Sequence, residues 1–194
     1  NNYSNYDDGK TPPVLMIKNS LIADNSHNSH DSFTCDPSIY IGSTFSVFIY
    51  NTTIANNING AEVGCSLSPQ IHVSSTGFWD GQPMENPSSL VIKNSIISTG
   101  IFAPLSDIID TPVSDEGDEN HHYALQIDYN LFDALYDDGY LINYIGNNNI
   151  ATLDPKFVDA DNGDYRLSVA SLAIDRGDPA AELDPEGTRK DLGY

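Results

Sequence analysis

Four stretches of the chain share one order of apolar and polar positions. They are Leu15-Met16-Ile17-Lys18-Asn19-Ser20-Leu21-Ile22, Val47-Phe48-Ile49-Tyr50-Asn51-Thr52-Thr53-Ile54, Leu90-Val91-Ile92-Lys93-Asn94-Ser95-Ile96-Ile97 and Leu125-Gln126-Ile127-Asp128-Tyr129-Asn130-Leu131-Phe132. Before the Asn the pattern alternates with period two, which predicts a strand. Leu15 and Ile17, Val47 and Ile49, Leu90 and Ile92, and Leu125 and Ile127 are expected to face inward. Met16, Phe48, Val91 and Gln126 are expected to face outward, as are Lys18, Tyr50, Lys93 and Asp128. After the Asn the chain turns, and Ile22, Ile54, Ile97 or Phe132 returns to the interior.

The central residues Ile17, Ile49, Ile92 and Ile127 stand 32, 43 and 35 residues apart. Those intervals are too long and uneven for an array of hairpins. They suit coils of a solenoid that carry loop insertions of different length. One coil cannot bury its own apolar face, but coils stacked about 4.8 Å apart bury continuous aliphatic columns. The predicted fold is all-β, a right-handed parallel β-helix with loop insertions over residues 1–150. An irregular C-terminal cap over 151–194 belongs to the same domain. Asn suits the bend because it tolerates the left-handed region and its amide can bond to nearby backbone. Asn19, Asn51 and Asn94 are expected to form an amide ladder. The fourth repeat breaks that column with Tyr129 and moves its Asn to position 130, as expected near the end of the helix.

Cys35 lies 18 residues after Ile17 and Cys65 lies 16 after Ile49, nearly equivalent places on neighbouring coils. A disulfide needs Cα atoms about 4.4–6.8 Å apart, a range that includes the coil spacing. A Cys35–Cys65 bridge is therefore expected, with two free buried thiols as the alternative. The Asn-, Ser- and Thr-rich background resembles that of exported proteins, where such a bridge persists. Asn2-Tyr3-Ser4 and Asn51-Thr52-Thr53 match the glycosylation sequon, without consequence in a bacterial protein.

Composition narrows the partners. The 194 residues carry 8 Lys and Arg against 28 Asp and Glu, for a formal net charge of −20. That balance argues against nucleic acid and anionic membrane. It suits solubility in salty surroundings, or the holding of divalent cations. No apolar run approaches the roughly 20 residues of a membrane span, so no membrane insertion is expected. No signal peptide is visible. The chain opens on the polar Asn1-Asn2-Tyr3-Ser4, as a mature or excised fragment would, and an upstream part of the same protein is expected to join it.

From residue 154 the texture changes. The chain reads Asp154-Pro155-Lys156-Phe157-Val158-Asp159, then Asn162-Gly163-Asp164-Tyr165-Arg166-Leu167-Ser168, then Ser171-Leu172-Ala173-Ile174-Asp175-Arg176-Gly177-Asp178-Pro179. It closes with Asp184, Gly187, Arg189 and Asp191-Leu192-Gly193-Tyr194. These roughly 40 residues closely resemble the terminal region of bacterial right-handed parallel β-helix proteins of the choice-of-anchor Q type. Such chains carry Asp-Pro-x-Phe, Gly-Asp-Tyr-x-Leu, Ser-x-Ala-Ile-Asp-x-Gly and a final Asp-Ile-Gly-Ala-Tyr-like string. Here Leu192 stands for the usual Ile, and the Ala is missing. The resemblance implies a secreted or cell-surface bacterial protein, and does not imply one activity. The residues themselves predict a cap, because an open β-helix end exposes apolar columns and strand edges. Phe157, Val158, Tyr165, Leu167, Leu172 and Ile174 are expected over the last coil, with Arg166, Arg176 and Arg189 paired to carboxylates or carbonyls.

Three clusters carry candidate chemistry. Asp159, Asp161 and Asp164 alternate around a Gly turn, a spacing that suits Ca²⁺, the one cofactor the sequence suggests. The motif lacks the downstream bidentate Glu of an EF-hand, and a solvated turn is the competing reading. The acidic stretch from Asp107 to Asp118, ending at Glu119, His121 and His122, reads as a mobile acidic loop between the third and fourth repeats, with a cation or sugar site as the alternative. Lys18, Tyr50, Lys93 and Asp128 form an outward column, and Phe78 and Trp79 join Tyr40, Phe48 and Tyr50 as aromatics able to stack on sugar rings. The expected function is a non-catalytic extracellular or cell-surface module that is structural, adhesive or glycan-contacting. Its partner would be a polysaccharide or another extracellular protein. A fragment of a polysaccharide lyase or hydrolase, and a subunit of an extracellular assembly, are the alternatives. A lyase needs a base for the proton α to a uronate carboxyl and a cation for that carboxyl.

Overall fold

The computed structural model describes residues 14–27, 39–41, 46–59, 71–73, 78–79, 82–83, 89–98, 103–104, 109–110, 124–135, 146–152 and 154–194. These build an all-β molecule around a curled parallel sheet. The first repeat supplies β1 (Val14–Ala23), β2 (Ser26–His27) and β3 (Ile39–Ile41). The second supplies β4 (Ser46–Ala55), β5 (Ile58–Asn59) and β6 (Ile71–Val73), followed by the antiparallel pair β7 (Phe78–Trp79) and β8 (Gln82–Pro83). The third holds β9 (Ser89–Lys93), β10 (Ile96–Ser98), β11 (Ala103–Pro104) and β12 (Ile109–Asp110). The fourth holds β13 (Ala124–Asp128), β14 (Leu131–Phe132) and β15 (Ala134–Leu135), and β16 (Ile150–Ala151) follows.

Pairing runs from each repeat to the next. β1 pairs with β4, β4 with β9 and β10, these with β13 and β14, and β14 with β16, all parallel. β3, β6 and β12 form a second parallel sheet in the same order. The register matches the sequence alignment: Ile17 sits opposite Ile49, Ile49 opposite Ile92, and Ile127 opposite Ile92. Val47, Ile49, Leu90, Ile92 and Ile127 are buried, as are Ile54, Ile97 and Phe132 beyond the bend. Val91 is buried although its row was expected outward, because Phe48 and Gln126 flank it on the neighbouring strands.

Each repeat bends at a residue in the left-handed region: Asn19, Asn51, Asn94 and Tyr129, with φ of 50°, 47°, 54° and 55°. The residue after the bend ties it shut. Ser20 Oγ, Thr52 Oγ1 and Ser95 Oγ each donate to the carbonyl two residues earlier, at 2.9 Å. Asn130 does the same, its Nδ2 donating to the Asp128 carbonyl at 3.0 Å. Asn130 therefore takes the Ser/Thr position, Tyr129 takes the Asn position, and the register continues unbroken. The expected ladder forms its first rung, Asn51 Nδ2 donating to Asn19 Oδ1 at 3.0 Å. The second rung is missing: Asn51 Oδ1 is buried without a partner, and Asn94 Oδ1 instead accepts from the Asp178 N–H at 2.7 Å.

The C-terminal segment corrects the expectation of a lid over the last coil. It begins with the antiparallel pair β17 (Phe157–Asp159) and β18 (Asp164–Leu167), joined by a 3₁₀ turn at Ala160–Asn162. It then lies alongside the sheet and touches every repeat. Tyr165 Oη donates to Asp24 Oδ1, the Tyr194 N–H to Thr53 Oγ1, and the Gly193 N–H to the Asn94 carbonyl. The Arg189 guanidinium lies over the Tyr129 ring. The cause is a second apolar row. Leu21, Thr53, Ile96, Leu131 and Ile150 are register neighbours on the outer face of the strands beyond the bend. Ala173 and Leu192 bury Ile96 and Leu131, with Phe157 and Leu167 packed beside them. Val158 and Leu172, expected to help cover the coils, are exposed.

Candidate functional site

The outer face of the strands before the bend carries the candidate site. Lys18 is the register partner of Tyr50, Tyr50 of Lys93, and Lys93 of Asp128. The expected column therefore exists as a row across four strands. Phe48, two residues before Tyr50 on β4, lies on the same face. Its ring stacks with that of Tyr50, with centroids 6.2 Å apart and planes 23° from parallel. Both rings are half-buried, Lys18 is exposed and Lys93 is half-buried. Two neighbouring rings with a lysine on either side of Tyr50 form a small amphipathic platform. The rings offer apolar faces and the ammonium groups offer donors.

Burial pushes the Tyr50 hydroxyl pKa above the usual tyrosine value, so it is a neutral donor and acceptor at pH 7. Lys93 Nζ lies 3.8 Å from Asp178 Oδ2, so the C-terminal segment reaches the edge of the platform. Asp128 serves structure: its Oδ1 accepts from the N–H groups of Tyr129 and Asn148.

The Asp159, Asp161 and Asp164 loop does not gather its carboxylates. Asp159 Oδ2 accepts from Asn162 Nδ2 at 2.8 Å. Asp164 accepts from Arg166 Nε at 2.8 Å and Nη2 at 2.5 Å, and this guanidinium holds its pKa down to about 2. Gly163 closes the turn at φ 77°. Among the described residues no group of three or more His, Cys, Asp or Glu side chains could hold a metal ion.

Phe78 and Trp79 form β7, with Phe78 opposite Pro83 and Trp79 opposite Gln82. The rest of the expected chemistry, Cys35, Cys65 and the acidic stretch after Asp110, lies outside the described residues. No helix among the described residues is long and apolar enough to cross a membrane. Two residues that tie the C-terminal segment to the sheet went unread in the sequence. Asp178, the partner of Lys93, is 85 positions away and no local pattern links them. Asp24 begins a second bend, shared with Asn56, at φ of 55° and 50°. The repeated Asp24-Asn25 and Asn56-Asn57 pair, 32 residues apart, is the signal that marks it. No protein-family model matches the chain, and no curated protein or solved structure matches it.

Proposed function

We propose that the chain is a right-handed parallel β-helix module of a secreted or surface-attached bacterial protein, with a C-terminal region of the choice-of-anchor Q type. In this reading it contacts glycans through the Phe48–Tyr50 platform and catalyses no reaction. The parallel pairing of each repeat with the next supports the solenoid. The observation that carries the function is the stacked Phe48 and Tyr50 pair, with Lys18 and Lys93 as register neighbours of Tyr50. A sugar ring lies flat on such a pair while the lysines donate to its oxygens. The net charge of −20 repels polyanions, so a neutral or sparsely charged glycan is favoured over a uronate polymer.

A glycan array tests this reading, with Tyr50→Ala and Lys18→Ala as comparisons. Binding is expected for the native chain and is expected to fall in both variants. Uronate polymers are expected to yield no unsaturated product on incubation. Binding that survives both substitutions, or release of unsaturated product, would overturn the reading.

A further inference from the structure

Asp178 comes to the platform from the C-terminal segment, and local contacts fix where its carboxylate stands. The Asp178 N–H donates to Asn94 Oδ1 at 2.7 Å, which ties its backbone to the third bend. Its Oδ1 accepts from the Ala180 N–H at 2.9 Å, across Pro179. One residue earlier, the Gly177 N–H donates to the Lys190 carbonyl at 2.7 Å, and a Cβ at Gly177 would stand 2.7 Å from that same oxygen. Only a glycine lets the segment close there. The remaining carboxylate oxygen, Oδ2, lies 3.8 Å from Lys93 Nζ. That separation is longer than a hydrogen bond of about 3 Å, so the pair leaves room for further bonds at both heads. Both side chains are partly open to solvent, at 23% and 21%.

We infer that Lys93 and Asp178 form a donor–acceptor clamp for two adjacent hydroxyls of a neutral sugar ring stacked beside them on Tyr50. The inference rests on the reading of the platform as a glycan surface. Lys93 and Tyr50 are register partners on strands roughly 4.8 Å apart, so the clamp stands next to the aromatic ring. Lysines alone offer a sugar only donors, whereas each of its hydroxyls both donates and accepts. Asp178 adds the acceptor. Asp128, the register partner of Lys93 on the other side, is engaged by the N–H groups of Tyr129 and Asn148 and by Asn148 Nδ2. One sugar hydroxyl donates to Asp178 Oδ2, and its neighbour accepts from Lys93 Nζ. Both bonds are charge-assisted, and the carboxylate is already positioned before a ligand arrives. Asp178 also balances the charge of Lys93 and repels an anionic substituent placed there. The ligand class is therefore a neutral pyranose with a free vicinal diol, not a uronate or a sulfated sugar.

Titration of the native chain with methyl glucoside, methyl galactoside and methyl mannoside, followed by heteronuclear NMR, tests the inference. At least one is expected to bind and to shift the resonances of Tyr50, Lys93 and Asp178. Its 3-deoxy counterpart, which has no two adjacent ring hydroxyls, should bind about fivefold more weakly or worse, and the matching uronate should also bind more weakly. Asp178→Asn keeps the backbone N–H and an oxygen for the Ala180 N–H, so its melting temperature should match that of the native chain. It is expected to bind the neutral sugar about fivefold less tightly and to lose the preference over the uronate. If none of the three sugars binds, the glycan reading and the clamp both fall. Binding at Tyr50 that ignores the 3-deoxy change, or that Asp178→Asn leaves unaltered, would overturn the clamp alone.

Discussion

The Tyr165 hydroxyl donates to Asp24 Oδ1 at 2.7 Å across 141 residues of sequence. Tyr165 is buried, and its ring meets Phe157 edge-on at 5.2 Å. The same oxygen of Asp24 accepts from Asn56 Nδ2 at 2.6 Å. One carboxylate thus links the bends of the first two repeats to the C-terminal segment. Tyr165→Phe is expected to lower stability by about 1 kcal/mol, the usual net worth of one such bond. Asp24→Ala should cost at least as much. In the double variant the two losses should fall short of additivity, as chemical denaturation can measure.

Alkaline pH should weaken the same link. Burial, and then the hydrogen bond to Asp24, push the Tyr165 pKa up to about 12, above the ordinary 10. A folded value above the unfolded one means that the fold favours the neutral hydroxyl. Its contribution is therefore complete below pH 10 and is lost as pH rises through about 12. Thermal melts across that window should show the native chain losing more stability than Tyr165→Phe. Parallel losses would show that Tyr165 titrates as it does in the unfolded chain.

Gly193 brings the backbone of the C-terminal segment close against the sheet, its N–H donating to the Asn94 carbonyl at 2.8 Å. Its φ is +87°, and a Cβ there would stand 2.6 Å from Thr53 Oγ1 and 2.8 Å from Ile96 Cδ1. Gly193→Ala should cost about 2 kcal/mol or more, through strain in φ and loss of fit. Binding of an apolar dye is expected to rise as Ile96 and Leu131 become wet. An unchanged melting temperature would mean that the segment does not dock there.

Asn94 performs two tasks that substitutions can separate. Its φ of 54° suits Asn or Gly, and its Oδ1 accepts from the Asp178 N–H. Asn94→Gly keeps the conformation and loses the acceptor. Asn94→Ala loses both, and is expected to be less stable than Asn94→Gly by about 1 kcal/mol. Equal stabilities in urea titrations would show that the bend does not depend on the left-handed conformation.

The cysteines are bracketed by paired strands of neighbouring repeats. β2 aligns with β5 and β3 with β6, both at an offset of 32 residues, while Cys35 and Cys65 are 30 apart. Intact mass after alkylation, with and without reductant, is expected to show two thiols only after reduction. Alkylation of both without reductant would exclude the bridge.

The repeat register was legible in the sequence because period-two alternation and the bend Asn recur together, and Ile17, Ile49, Ile92 and Ile127 align as read. The platform row was legible for the same reason, since Lys18, Tyr50 and Lys93 keep one distance from the bend. The fourth bend was misread. Asn130 looked like a displaced bend residue, but the bond to the carbonyl two places back identifies it with Ser20, Thr52 and Ser95. The docking of the C-terminal segment was not legible. It depends on Leu21, Thr53, Ile96 and Leu131 forming an apolar row on the outer face, and a strand buried on both faces loses its alternation. The contacts that fix the segment, Tyr165 to Asp24 and Asp178 to Asn94, span 141 and 84 residues.

A crystal structure of the chain tests the central claim most directly. Ile39–Ile41, Ile71–Val73 and Ile109–Asp110 are expected to form one wall of a right-handed solenoid whose other wall is β1, β4, β9 and β13. Tyr165 should lie within hydrogen-bonding distance of Asp24. Left-handed winding, antiparallel pairing between repeats, or a C-terminal segment packed only against the fourth repeat would contradict it.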